Sequence, residues 1–152
     1  LKSNESNKNL RRKQFGFLVL LFVLMSQVLS APTPSIYPVV NSALTQNSVS
    51  RNGLSAIFRM RLRQWQDGSP ITVFVLRDNN PLHQQFCKQV LNVFPHQMRR
   101  SWNKLVFSGT GQAPVTVASK DEMVDKIAST PGAIGYLSDE DITEDIKILI
   151  IK

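Results

Sequence analysis

Cysteine is almost missing from this chain: Cys87 stands alone among 152 residues. One thiol cannot close an intramolecular disulfide, and without a CxxC pair or a Cys/His cluster there is no thiolate metal site to read. At a helical position, Cys87 reads as a small buried hydrophobe. Histidine is scarce too, with only His83 and His96, far apart in sequence and each at the start of a helical segment. No serine, histidine and acid spacing and no carboxylate pair points to catalysis. An enzyme is therefore not expected, and neither is a cofactor or a metal. No apolar run is long enough to cross a bilayer. The run Phe15 to Met25, "FGFLVLLFVLM", has eleven residues, where a spanning helix needs ~20. Internal repeats and low-complexity tracts are absent.

What is present at the N-terminus has three parts. Lys2, Lys8, Arg11, Arg12 and Lys13 precede the apolar run, and Val28 and Ser30 follow it at the −3 and −1 spacing of a cleavage site. That is the pattern of a secretory signal peptide over residues 1–30, with an uncleaved anchor as the alternative. It predicts export to the periplasm, and no cysteine at the junction suggests a lipid anchor. Cleavage after Ser30 would leave a 122-residue domain, 31–152, with 13 Lys/Arg against 10 Asp/Glu. The formal net charge of +7 thus falls mostly on the leader. A nucleic-acid partner is not expected, and 122 residues suit one compact domain.

Within that domain strands alternate with helices. "PSIYPVVN" (34–41) reads as a first strand. Leu54, Ile57, Phe58 and Arg61 fall at helical spacing, capped by Ser50 or Asn52. After an Asp67-Gly68 turn, "ITVFVLR" (71–77) is an unbroken apolar and β-branched run, as in a strand covered on both faces. Asn80-Pro81 is a helix-start pair, since proline at the first helical position loses only an amide without an intrahelical partner. Leu82, Phe86 and Val90 follow on one face. A further helix opens at Pro95, with Met98, Trp102, Leu105 and Val106 on its apolar side. "FSGTGQAP" is a loop and "VTVAS" a short strand. Ser119 and Glu122 form a capping box for a helix burying Met123, Ile127 and Ala128. Pro131-Gly132 stops it. "AIGYLS" is a strand, "DEDITED" a surface turn or short helix, and "IKILII" a closing strand. The alternation indicates an α/β layer fold with a mostly parallel sheet flanked by helices.

Three segments, "LSAIFRMRLRQWQDGSPITVFVLRD", "SWNKLVFSGTGQAP" and "STPGAIGYLSD", together resemble the phosphate-binding solute receptors of bacterial ABC transporters. The resemblance runs from about Ile36 to Ile151 and is most specific at "TPGAIGY". It implies a three-layer, periplasmic-binding-protein-like lobe, the second lobe of such a receptor in chain order. Receptors of that family close two lobes over the ion, and 122 residues suffice for one. Gly132 would stop the helix in a left-handed conformation, and Gly135 would admit close backbone approach.

The resemblance carries over Arg77 and Asp78. It does not carry over the Gly-Ser-Gly-Thr-like loop of the family, because Asn79, Asn80 and Pro81 stand there instead. An anion site is expected from Arg77, Asp78, Asn79 and Asn80, with Asn41 and Ser42 from the end of the first strand. Ligands of open α/β sheets gather at the carboxyl ends of strands, helix starts attract anions, and arginine can grip an oxyanion by two parallel bonds. The partner so implied is inorganic phosphate or a similar oxyanion, together with a membrane transporter, a sensor protein or a second copy of the chain. The alternative is an exported interaction or sensory module that has kept the fold and lost the ligand. "SGTG" (108–111) lacks the Gly-Lys-Ser/Thr ending of a phosphate loop and reads as a plain loop. Arg59, Arg61 and Arg63 read as a solvated basic face.

Overall fold

The structure is a computed structural model and describes residues 35–152. The expected signal peptide and its cleavage after Ser30 lie outside the described residues. Among the described residues no helix is long and apolar enough to cross a membrane.

The chain begins with β1 (Ile36–Asn41) and a two-residue strand β2 (Ser48–Val49), followed by helix α1 (Arg51–Phe58). Strand β3 (Thr72–Val75) leads into helix α2 (Pro81–Gln85), which widens into a π-helical turn over Phe86–Val90. Helix α3 (Pro95–Phe107), strand β4 (Val115–Thr116) and helix α4 (Lys120–Ser129) come next. Strand β5 (Ala133–Ser138), a 3-10 turn (Asp139–Asp141), β6 (Ile146–Ile148) and β7 (Ile150–Ile151) close the fold.

Five strands form one sheet in the order β4-β3-β5-β1-β6. β3 pairs in parallel with both β4 and β5, whereas β1 runs antiparallel to both β5 and β6. Four strands therefore point one way and β1 alone is reversed. β2 and β7 form a separate parallel pair. The expected closing strand is thus two short strands, broken at buried Leu149, whose amide bonds the carbonyl of Pro38. In an antiparallel strand the N–H and C=O of one residue face the same neighbour. The donor that Pro38 lacks accordingly faces Leu149, the residue at which β6 breaks off, so proline inside this inner strand costs only one bond at the end of that ladder.

Adjacent residues of β5 show the layering. Gly135 faces α4: a Cβ there would lie 2.6 Å from Ile127 Cδ1 and 3.0 Å from Met123 Sδ. Tyr136 points to the other face, where its ring stacks on Phe86 at 4.1 Å and lies 6.1 Å from Phe58. Helix α4 covers one face of the sheet, and α1 and α2 cover the other. Helix α3 is tied to the end of α1 by a hydrogen bond from Trp102 Nε1 to the Phe58 carbonyl, 2.8 Å.

Local signals set the helix starts. Ser50 Oγ accepts from Gly53 N, Asn80 Oδ1 from Leu82 N, and Ser119 Oγ from Glu122 N. Glu122 completes its capping box on the amide of Ala118, one residue earlier than the motif implies. Two side chains leave their expected places. Val106 is 49% exposed, because α3 turns only Met98 and Trp102 fully inward. Arg61 lies past the end of α1, which closes at Phe58.

Candidate functional site

Because β3, β4, β5 and β6 share a direction, their carboxyl ends meet on one side of the sheet, as do the starts of α2 and α4. The segments that arrive there are Arg77–Asn80 after β3, Val117–Ser119 after β4 and Ser138–Asp141 after β5. The last of these is engaged within itself and by α4. Ser138 Oγ donates to Asp141 Oδ2, and Lys120 Nζ lies 2.7 Å from Asp141 Oδ1 and 3.8 Å from Glu140 Oε1.

Asn41 and Ser42 are not at this end. Val40 and Val73 both stand level with Ile134 of β5, which places Asn41 beside Ala133 and Thr72, at the start of β3. Arg77 is five residues farther on, roughly 16 Å along the strand direction at ~3.3 Å per residue. The reversal of β1 thus separates the two halves of the expected site. Asn41 has a structural occupation: Nδ2 donates to the carbonyls of Ile127 (2.9 Å) and Ala128 (2.8 Å), and Oδ1 accepts from Ala43 N. It ties the last turn of α4 to the end of β1, satisfying carbonyls that a helix terminus leaves free. Ser42 is exposed, and its amide bonds the Asp145 carbonyl.

The four residues after β3 do lie together, with different duties. Asp78 is engaged by Arg99, which donates from Nε (3.0 Å) and Nη2 (2.8 Å) to its two oxygens. That bond holds the Arg99 guanidinium above its usual basicity, against a smaller opposing effect of burial. Asn80 spends its side-chain oxygen capping α2. Arg77 and Asn79 are exposed, and among the described residues the Arg77 side chain makes no hydrogen bond or ion pair. Among the described residues the site therefore offers an exposed, unpaired Arg77 side chain on the loop that leads into α2, with the carboxylate next to it in sequence paired to Arg99.

Beneath it runs a buried polar chain that the sequence did not announce. Tyr136 Oη accepts from the amide of Leu76 at 2.8 Å and lies 2.6 Å from His83 Nδ1. His83 Nε2 lies 3.5 Å from Cys87 Sγ and 3.8 Å from Asp78 Oδ1. Burial lowers the basicity of His83; the Asp78 carboxylate raises it and the Arg99 cation lowers it further. Burial also pushes the Cys87 thiol up to about 12 and the Tyr136 phenol far above its ordinary range. Neither is a nucleophile or an anion at neutral pH. The available signal was His83 and Cys87, one turn apart on the α2 face that also carries Phe86. No group of three or more His, Cys, Asp or Glu able to hold a metal occurs among the described residues.

The sequence matches the PBP superfamily domain over residues 30–147. The chain belongs to that superfamily. No curated protein sequence matches it. Among solved structures, it is similar to an ABC-type phosphate transport receptor from Vibrio cholerae, with a TM-score of 0.61 at 15% identity. The match covers 78% of this chain and 46% of the receptor. A putative phosphate ABC transporter substrate-binding protein from Clostridium perfringens, with bound phosphate, gives 0.61 at 10% identity, covering 78% and 45%. PstS from Borrelia burgdorferi gives 0.60 at 15% identity, covering 78% and 47%. At such identities the similarity is one of fold. The chain spans less than half the length of each of these proteins.

Proposed function

We propose that this PBP-superfamily lobe is an exported, non-covalent binder of phosphate or a closely related oxyanion, using the surface at the carboxyl end of β3. The observation that carries the reading is Arg77: an exposed guanidinium at a strand end, beside a helix start, with no partner among the described residues. An oxyanion accepts two parallel hydrogen bonds from such a group. The exposed amide side chain of Asn79 would donate a third. Asp78, which would otherwise repel the anion, has its charge offset by Arg99. The phosphate receptors that share the fold support the choice of ligand. The proposed partners are a transporter or sensor protein or a second copy of the chain, any of which would cover the remaining face of the ion. Phosphate should raise the melting temperature of the protein, as any ligand selective for the folded state does. Sulfate should do so less, and Arg77→Ala should abolish the shift.

A second reading has an observation of its own. Asp78, Asn80 and Asn41 are all committed to internal bonds, as in a lobe that has kept its architecture for protein contacts and lost its ligand. A stable dimer or a captured membrane partner, with no phosphate-dependent shift, would select that reading.

A further inference from the structure

Among the described residues Arg77 has no side-chain partner, and the backbone on either side of it is pinned. The amide of Leu76, one residue before, donates to Tyr136 Oη at 2.8 Å. The Arg77 carbonyl accepts from Asn80 N at 2.9 Å. Asp78, one residue after, is held through its carboxylate by Arg99 and through its carbonyl by Gln84 Nε2 at 3.3 Å. The tyrosine bond is the one made in the core: Tyr136 is 0% exposed and His83 1%. The ring of Tyr136 cannot swing freely, since Phe86 stacks on it at 12° between planes.

Proton accounting fixes the state of this pair. The phenol accepts from Leu76, so its single proton goes to His83 Nδ1, 2.6 Å away. His83 is then the neutral tautomer with hydrogen on Nε2, directed at Cys87 Sγ and facing Asp78. A second proton would turn Nδ1 into a donor. The phenol oxygen would then face two donors, and its own O–H would have no acceptor in a buried site, a costly arrangement. One of the two bonds must break. The charged groups facing His83 are Asp78 from the loop after β3 and Arg99 from α3; Cys87 on the π-helical turn and Tyr136 on β5 face it as neutral groups.

We propose that His83 and Tyr136 are positioning residues for Arg77: the neutral imidazole orients the phenol onto the Leu76 amide, and a proton on His83 releases the strand end that carries Arg77. The structural part of this stands by itself. Its consequence for ligand affinity rests on the anion-binding reading of Arg77.

The test is a pH titration of the full protein by nitrogen-edited NMR, following the His83 ring nitrogens and the amides of Leu76 to Asn80. The amides should move with the same midpoint as His83, below pH 6.5. The step should vanish in His83→Gln, whose side-chain oxygen still accepts from the phenol, and in Tyr136→Phe, which removes the link. Loop amides that ignore the His83 midpoint, or a step that survives in His83→Gln, would overturn the proposal. Phosphate titration one pH unit above and one pH unit below the His83 midpoint found by NMR then reads the consequence. Wild-type affinity should drop about tenfold more than that of His83→Gln between the two values, the equivalent of one hydrogen bond. Equal drops would overturn the link to affinity. Wild-type protein that binds no phosphate at either pH would count against the proposed function, while the amide titration would still decide the positioning role.

Discussion

Arg99 closes two arms of its guanidinium on the Asp78 carboxylate, Nε at 3.0 Å and Nη2 at 2.8 Å, while its central carbon sits 5.0 Å from the Trp102 ring centroid. Both partners of the ion pair are more than a third exposed, so the pair adds little to stability. Its effect is on charge, because it leaves Arg77 as the uncompensated cation of the loop. Arg99→Met should cost about 1 kcal/mol or less by thermal denaturation. The same variant should weaken phosphate binding severalfold, since it frees a carboxylate next to the anion. Unchanged affinity with lowered stability would show that Asp78 does not face the ligand.

Asn41 should behave in the opposite way. Its side chain satisfies two carbonyls at the end of α4 and one amide of its own turn. Asn41→Ala should cost roughly 2 kcal/mol in urea unfolding and leave phosphate affinity alone. Ser42→Ala should change neither.

The two glycines of "TPGAIGY" are required for different reasons and should differ in tolerance. Gly132 has φ +72°, and a Cβ there would lie 2.4 Å from the carbonyl oxygen of Pro70, a backbone atom fixed by the entry into β3. Gly135 would meet only the ends of the Ile127 and Met123 side chains. Gly135→Ala should cost about 1–3 kcal/mol as overpacking. Gly132→Ala adds left-handed strain of about 1–2 kcal/mol to a harder clash and should be the worse of the two in equilibrium unfolding.

The pH dependence follows from His83. Its folded-state pKa lies below the ordinary 6.5, chiefly because it is buried. Above that value it is neutral in both folded and unfolded chains and contributes no slope. As pH falls through 6.5 the unfolded chain takes up the proton first, so stability declines until the folded state is protonated as well. Denaturant midpoints measured between pH 8 and 5 should fall on the acid side, and His83→Gln should flatten that part of the profile.

Much of the fold was legible because it is written locally. Ser50, Asn80-Pro81 and Ser119 start helices where their hydrogen-bonding chemistry says they should, and the Pro131-Gly132 stop falls on the glycine with positive φ. The direction of β1 was not legible, since "IYPVVN" reads alike whether it runs with β5 or against it. Placing Asn41 and Ser42 beside Arg77 assumed a common direction, and the antiparallel pairing separates them. The buried chain through Tyr136, His83 and Asp78 was hidden for a related reason. Its members come from β5, α2 and the loop after β3, up to 60 residues apart, and only the packed sheet brings them together. The π-helical turn at Phe86–Val90, where Leu91 N bonds the Phe86 carbonyl, likewise has no signature in residue spacing.

The central claim is that Arg77 makes one lobe an anion binder, and calorimetric titration tests it most directly. Phosphate, with sulfate as control, would be titrated into protein stripped of bound anion, alongside Arg77→Ala. Saturable, phosphate-selective heat that disappears in the variant is the expected result. A folded wild-type protein giving no heat at millimolar phosphate, or equal heat from wild type and Arg77→Ala, would contradict it.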